Sequence, residues 1–241
     1  MPEPYYTTDG NTIEFALWRG EFGWEVMSWA PFCRSRAAGF RHVIVTSFAE
    51  TAALYDDFCT DFRCHEQTGR SLDYPKSFPF YFSGGAGFTH RRYGRPGQGP
   101  AFDVLVHCRA IARKRTINYD RWPELIESLF GSGLKVACIG TAVDGHCSPA
   151  IDARNAPLTV LMDLAANAKV TVGASSGTMH LAAACGCPLL VWGDRKTRYR
   201  QTLEQRYRET WNPHDVPVTF LAADDWQPDP ERILQELHDA I

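Results

Sequence analysis

Lysine is scarce in this chain: five lysines stand against twenty arginines among 241 residues. Net charge is also small, −3 at pH 7, so the overall basic bias of a protein that coats a polyanion is missing. No apolar run reaches the roughly 20 residues of a membrane-spanning helix. The opening MPEPYYTTDG has neither the charged nor the apolar region of a signal peptide, which predicts a cytoplasmic protein. The eight cysteines form no disulfide framework in a chain of this length. Cys185-Gly186-Cys187 and Cys59…Cys64-His65 lack the second ligand pair of a zinc site, so reduced thiols and no metal are expected.

What is present fits a soluble globular protein, with 44% apolar and 22% charged residues. The length suits one large domain or two small ones. The arginines cluster: Arg91, Arg92 and Arg95; Arg109 with Arg113, Lys114 and Arg115; and Arg195 to Arg208. Arginine in place of lysine suits bidentate contacts to phosphate or carboxylate, although solvation of the surface accounts for about half of these residues.

Taken in order, Asn11–Trp18 reads as a strand and Arg19–Gly23 as a Gly-rich turn. A helix is expected over Trp24–Ala38, kinked or restarted at Pro31. His42–Thr46 reads as a buried strand and Ala49–Phe58 as a short helix. Residues 66 to 101 are irregular and aromatic, with one strand at Phe80–Phe82 and a linker around Gly94–Pro100. From Phe102 the alternation is clean. Strands are expected at Val104–Cys108, Leu134–Ile139 and Val216–Leu221; helices at Asp120–Phe130, Leu158–Ala168, Thr197–Tyr207 and Pro230–Ala240, the last capped by Asp229. Both halves read as doubly wound α/β units, divided as 1–98 and 99–241, with the last helix free to pack back on the first.

The most informative stretch is VTVGASSGTMHLAAACGCPLLVW, residues 170–192. It predicts a strand (Val170–Val172), a tight turn (Gly173–Gly177), a helix from Thr178 and a second strand (Leu189–Trp192). Ser175, Ser176 and Thr178 are candidate caps for that helix. A helix N-terminus behind a glycine turn is a ready phosphate or pyrophosphate site, and Gly173 and Gly177 let the backbone approach it. An ordinary serine-capped turn is the plain alternative.

This stretch resembles the signature of the bacterial heptosyltransferase-type glycosyltransferases. The matching positions are Gly173, Ser176, Gly177, Met179, His180, Leu181, Ala182 to Ala184, Gly186 and Pro188. Ala174 and Ser175 stand where the family has Asn-Asp, and Thr178 where it has Pro. Residues 103–193 as a whole are similar to the same family. The resemblance implies a GT-B fold: α/β, two Rossmann-like domains facing a cleft, the N-terminal one reduced. It implies transfer of a sugar from a nucleotide diphosphate sugar to an acceptor hydroxyl, with no metal and no cofactor beyond the donor itself.

That chemistry requires charge stabilisation at the leaving diphosphate and a base for the acceptor hydroxyl. For the donor, the basic loop Arg109, Arg113, Lys114 and Arg115 follows a strand on the carboxyl edge, as does the Ser175, Ser176, Gly177, Thr178 turn. Gly140, Thr141 and Asp144 follow another strand, facing the nucleoside. His180 either bonds phosphate or ribose or ties its helix to a neighbouring strand. The base is Glu21 or Glu25, the resemblance favouring Glu21; the other carboxylate is a helix-capping group. Arg92 and Arg198 are candidate acceptor contacts. The acceptor is a glycan or lipid-linked sugar, or a nucleic acid carrying a hydroxylated base. A sugar-nucleotide epimerase and a nucleotide-binding module are the other readings.

Overall fold

The computed structural model describes residues 5–66, 69–71, 87–99, 101–110, 117–197 and 201–239. The chain divides between Arg91 and Arg92 into two compact units.

In the first unit, β1 (Tyr6–Asp9) and β2 (Thr12–Phe15) form an antiparallel hairpin, turned at Gly10 with φ +55°. Strands β3 (His42–Ser47) and β4 (Asp61–Cys64) continue the sheet in parallel, in the order β1-β2-β3-β4. The strand expected over Asn11–Trp18 is thus shorter, and β1 and β4 were not expected. Both are largely exposed and polar, so no apolar alternation marks them.

The helix expected over Trp24–Ala38 is built in three parts: α1 (Phe22–Trp24), a π-helical turn (Glu25–Trp29) and α2 (Ala30–Ala37). Pro31 has no N–H, and its ring crowds the carbonyl four residues back. The wider turn, closed by the Ala30 N–H on the Glu25 carbonyl, lies just before it, where a kink was expected. The helix expected at Ala49–Phe58 is only a 3₁₀ turn, Ala49–Leu54. Trp18 stacks on Trp29 at 5.4 Å, and Trp29 on Phe32 at 5.6 Å, giving this unit an aromatic core. A Cβ at Gly20 would fall 2.6 Å from the Trp18 ring, so glycine is required there. The strand expected at Phe80–Phe82 lies outside the described residues.

The second unit is a six-stranded, wholly parallel sheet in the order β10-β9-β8-β5-β6-β7. Its strands are β5 (Val104–His107), β6 (Val136–Cys138), β7 (Ile151–Asp152), β8 (Val170–Ala174), β9 (Leu189–Gly193) and β10 (Val218–Ala222). This is the Rossmann order: the chain builds outward from β5 to β7, then returns to the other side of β5 as β8. Strands β5, β6, β8 and β9 are buried along their whole length, which explains why they read as continuous apolar runs.

The helices of this unit are α3 (Trp122–Gly131), α4 (Leu158–Asn167), α5 (Gly177–Ala184), α6 (Leu203–Gln205) and α7 (Pro230–His238). Asp229 caps α7, accepting from the Glu231 amide at 2.9 Å. That helix packs on α3 and β9 of its own unit, burying Ile233 and Leu237 in the core with Leu125, Ile126 and Trp192. The helix expected over Thr197–Tyr207 is confined, among described residues, to α6 and a π-helical turn at Arg206–Thr210. No helix among the described residues is long and apolar enough to cross a membrane.

Candidate functional site

The site is assembled where β5 and β8 end side by side, at the point where the strand order reverses. Loops leaving neighbouring strands in opposite directions open a crevice there. His107 closes β5 and pairs in register with Gly173 of β8. A Cβ at Gly173 would lie 3.3 Å from the His107 Cβ and 3.1 Å from the Met179 Sδ, so the strand ends are in tight contact.

Beyond β8, Ser176 is the N-cap of α5, with an extended backbone and a hydroxyl 3.4 Å from the Met179 amide. The Ser176 Oγ lies 2.9 Å from His107 Nδ1. On its other side, His107 Nε2 is 3.4 Å from Asp144 Oδ2 and 3.4 Å from Thr178 Oγ1. The Asp144 carboxylate also accepts from the amides of Ala110 (3.0 Å) and Thr141 (2.7 Å) and from the Thr141 hydroxyl (2.9 Å). Burial raises its carboxyl, but His107 and these amides outweigh burial and hold it well below the ordinary carboxylate range. Gly140, at φ +131°, lets that carboxylate approach: a Cβ would stand 2.6 Å from Asp144 Oδ2.

The amides of Gly177 and Thr178 open α5 with no acceptor among the described residues. They are the donors that a helix N-terminus offers to an anion. Behind them, the Arg109 guanidinium donates to the carbonyls of Ser175 and Ile117 and lies over the Trp226 ring at 5.2 Å. Burial pushes it down to about 10, and its Nε has no hydrogen-bond partner among the described residues. The Ser175 hydroxyl accepts from Tyr207 at 3.0 Å. Tyr207 in turn stacks on His180 at 5.1 Å, with Trp211 edge-on to the imidazole at 4.9 Å. Burial pushes His180 down to about 3, and its Nδ1 is buried with no hydrogen-bond partner among the described residues. His180 is therefore neutral at pH 7 and sits in an aromatic stack one turn into α5.

Arg109, Gly140, Thr141, Ser175, Ser176, Gly177 and Thr178 are thus brought together. Arg109 and Gly140 act from behind, holding backbone and Asp144 in place. Arg113, Lys114, Arg115 and Arg198 lie outside the described residues. Arg92 is at the other end of α5, donating to the carbonyls of Cys185 (3.3 Å) and Gly186 (3.4 Å). His107 was not among the expected site residues. Its sequence signal is a polar side chain closing the apolar run VLV at the carboxyl edge of a strand.

In the first unit the two candidate carboxylates have different environments. Glu25 is fully buried. Its Oε1 accepts from Ser47 (2.5 Å), Thr51 (2.8 Å) and Tyr55 (2.7 Å), and its Oε2 from Arg70 (2.7 Å). Arg70 also donates to the Gly20 carbonyl, tying down the turn that carries Glu21. Glu25 is thereby an internal anchor, with its oxygens committed. Glu21 is half-buried at the N-cap position of α1, where its side chain makes no capping bond. Among the described residues no group of three His, Cys, Asp or Glu side chains is placed to hold a metal ion, and all eight cysteines are free thiols.

No family model and no curated protein matches the chain. Solved structures match it in fold. The heptosyltransferase TibC, described as dodecameric and iron-containing and bound to ADP-D-β-D-heptose, superposes with a TM-score of 0.57 at 15% identity, over 94% of this chain and 80% of that one. A family 9 glycosyl transferase from Veillonella parvula gives a TM-score of 0.59 at 9% identity, over 95% of both chains. TibC from enterotoxigenic E. coli, in a second structure, gives 0.55 at 14% identity, over 94% of this chain and 78% of that one. The fold of this chain is therefore the GT-B glycosyltransferase fold expected from residues 170–192.

Proposed function

We propose that this chain is a glycosyltransferase, which takes a nucleotide diphosphate sugar at the ends of β5 and β8 and moves the sugar to an acceptor hydroxyl. One observation carries the reading: the amides of Gly177 and Thr178, unshared among the described residues, stand at the switch point of a Rossmann-ordered sheet, beside hydroxyls of Ser176 and Thr178. Pyrophosphate is the ligand that such a geometry suits. The fold shared with TibC, whose structure contains ADP-D-β-D-heptose, supports the same donor class.

In the transfer, the acceptor oxygen bonds to the anomeric carbon, and the bond from that carbon to the diphosphate breaks. The departing charge falls on the α5 amides, with the buried Arg109 cation behind them and the basic residues 113–115 as further candidates. The acceptor proton passes to a carboxylate, and we assign that role to Glu21, since the oxygens of Glu25 are committed. These donors meet the charge requirement without a metal. A glycan or lipid-linked sugar is the acceptor class in this reading.

The test is incubation with ADP-, UDP- and GDP-sugars, with and without an oligosaccharide acceptor. A transferred sugar and free nucleoside diphosphate are expected. An isomerised sugar would instead make the protein an epimerase, and failure of every donor to bind would remove the reading.

A further inference from the structure

Trp226 stands just past β10, on the carboxyl edge of the sheet, with a backbone that aromatic residues rarely adopt. Its φ is +64°, in the left-handed region, and its amide donates to the Ala223 carbonyl at 3.0 Å. Such a conformation persists only where the surroundings over-determine it, and it clusters at binding sites. The next residue, Gln227, anchors this turn. Its Oε1 accepts from the Asp120 amide (3.0 Å), its Nε2 donates to the Asn118 carbonyl (2.6 Å), and its own amide donates to Asp225 (3.0 Å).

The turn carries the indole across the end of β8, which lies between β9 and β5. One edge of the ring lies against Gly193 at the end of β9, where a Cβ would stand 3.2 Å from Trp226 Cη2. Its face covers the buried Arg109 guanidinium from the loop after β5, with Cζ 5.2 Å from the ring centroid. Ser175, the first residue after β8, is held at three points. Its amide donates to the Trp192 carbonyl (3.0 Å), its carbonyl accepts from Arg109, and its hydroxyl accepts from Tyr207 (3.0 Å). The cap Ser176 and the amides of Gly177 and Thr178 follow directly, so their direction depends on how firmly the guanidinium is held.

We propose that Trp226 is a positioning residue for donor binding that acts through Arg109: its indole fixes the guanidinium that holds the Ser175 carbonyl, and so aims the α5 amides at the diphosphate. This rests on the donor site proposed above. The indole favours the guanidinium in two ways. Its face attracts the cation more strongly than a phenyl or phenol ring does. It also keeps water from competing for the N–H groups that Arg109 gives to the carbonyls of Ser175 and Ile117.

Trp226 is also half-buried against the core, so its removal has a packing cost of its own. The experiment separates the two roles. Trp226→Phe keeps an aromatic face over the cation, whereas Trp226→Leu keeps apolar volume without one. ADP-, UDP- and GDP-glucose and ADP-D-β-D-heptose are titrated calorimetrically into the full chain, and urea midpoints are taken on the same proteins. Trp226→Leu should bind the wild type's donor about ten- to thirty-fold more weakly, the value of a desolvated cation–π contact. Trp226→Phe should stay within about threefold of the wild type, with a urea midpoint close to that of the leucine variant. In an Arg109→Met background, Trp226→Leu should cost little more affinity, because the residue through which it acts is gone. Phenylalanine and leucine variants that bind alike, affinities that merely follow the urea midpoints, or a leucine loss undiminished beside Arg109→Met each overturn the role of Trp226 and leave the donor site standing. Should Arg109→Met not fold, the phenylalanine and leucine pair decides alone. No binding of any of the four by the wild type removes the donor site and this role together.

Discussion

His107 and Ser176 are 69 residues apart in the chain, and their side chains meet at 2.9 Å. The contact exists because β5 and β8 are neighbours in the sheet, although β6, β7 and two helices separate them in sequence. It joins the loops on the two sides of the switch point, and Asp144 adds the loop after β6.

Gly140 is the backbone condition for that third loop. Gly140→Ala would place a methyl group 2.6 Å from Asp144 Oδ2 at a φ of +131°. We expect a loss of about 1–3 kcal/mol, read as a lower urea midpoint, together with weaker nucleotide-sugar binding. An alanine variant with unchanged midpoint and affinity would show that the Asp144 loop is not tightly held.

Asp144 predicts an acid sensitivity. Its folded carboxyl lies below the ordinary range, because His107 and the Ala110 and Thr141 amides outweigh burial. The fold therefore gains stability above the unfolded carboxylate pKa of about 3.9 and loses it as pH falls toward the folded value. Urea midpoints of the wild type should drop below about pH 4, and Asp144→Asn should flatten that drop. Equal acid losses in both proteins would contradict the assignment.

Glu25 predicts a ranking of variants. Glu25→Gln keeps an acceptor for Ser47, Thr51 and Tyr55 but loses the charge facing Arg70, and should cost about 2 kcal/mol. Glu25→Leu leaves the three buried hydroxyls without that acceptor and should cost more, at about 1–3 kcal/mol for each group left unsatisfied. Denaturant unfolding gives both values, and a leucine variant as stable as the wild type would contradict the role of Glu25 as an anchor.

Much of the second unit was legible because its strands are buried on both faces. VLV, VTVGA and LLVWG are the apolar runs such strands require, and the cap of the small-residue helix was legible as one of Ser175, Ser176 and Thr178, of which Ser176 supplies it. The first unit hid more. Its β1 and β4 are exposed edge-type strands, and the π-helical turn at Glu25–Trp29 answers a proline two residues beyond it. Thr141 and Ser176 were expected at the site by their place after strands, whereas His107 was masked by the strand it ends. Glu25 illustrates a different limit. Its partners Ser47, Thr51, Tyr55 and Arg70 are supplied by tertiary structure, and no local pattern joins them.

Glu21→Gln tests the base. A positioned general base contributes about 10²–10⁴-fold in rate, so turnover at saturating donor should fall by that factor while donor affinity is retained. Turnover near that of the wild type would move the base elsewhere.

The α5 N-terminus is proposed to receive the donor diphosphate, and Ser176→Asp tests that role most directly. Aspartate caps a helix as well as serine does, so α5 and the melting temperature should be preserved. Its charge would stand where the diphosphate is proposed to bind. Calorimetric titration should show wild-type binding of at least one nucleotide sugar and, in Ser176→Asp, affinity reduced by about a hundred-fold or more, the cost of two like charges brought together in a partly buried site. A variant that binds the same nucleotide sugar as tightly as the wild type would contradict the account.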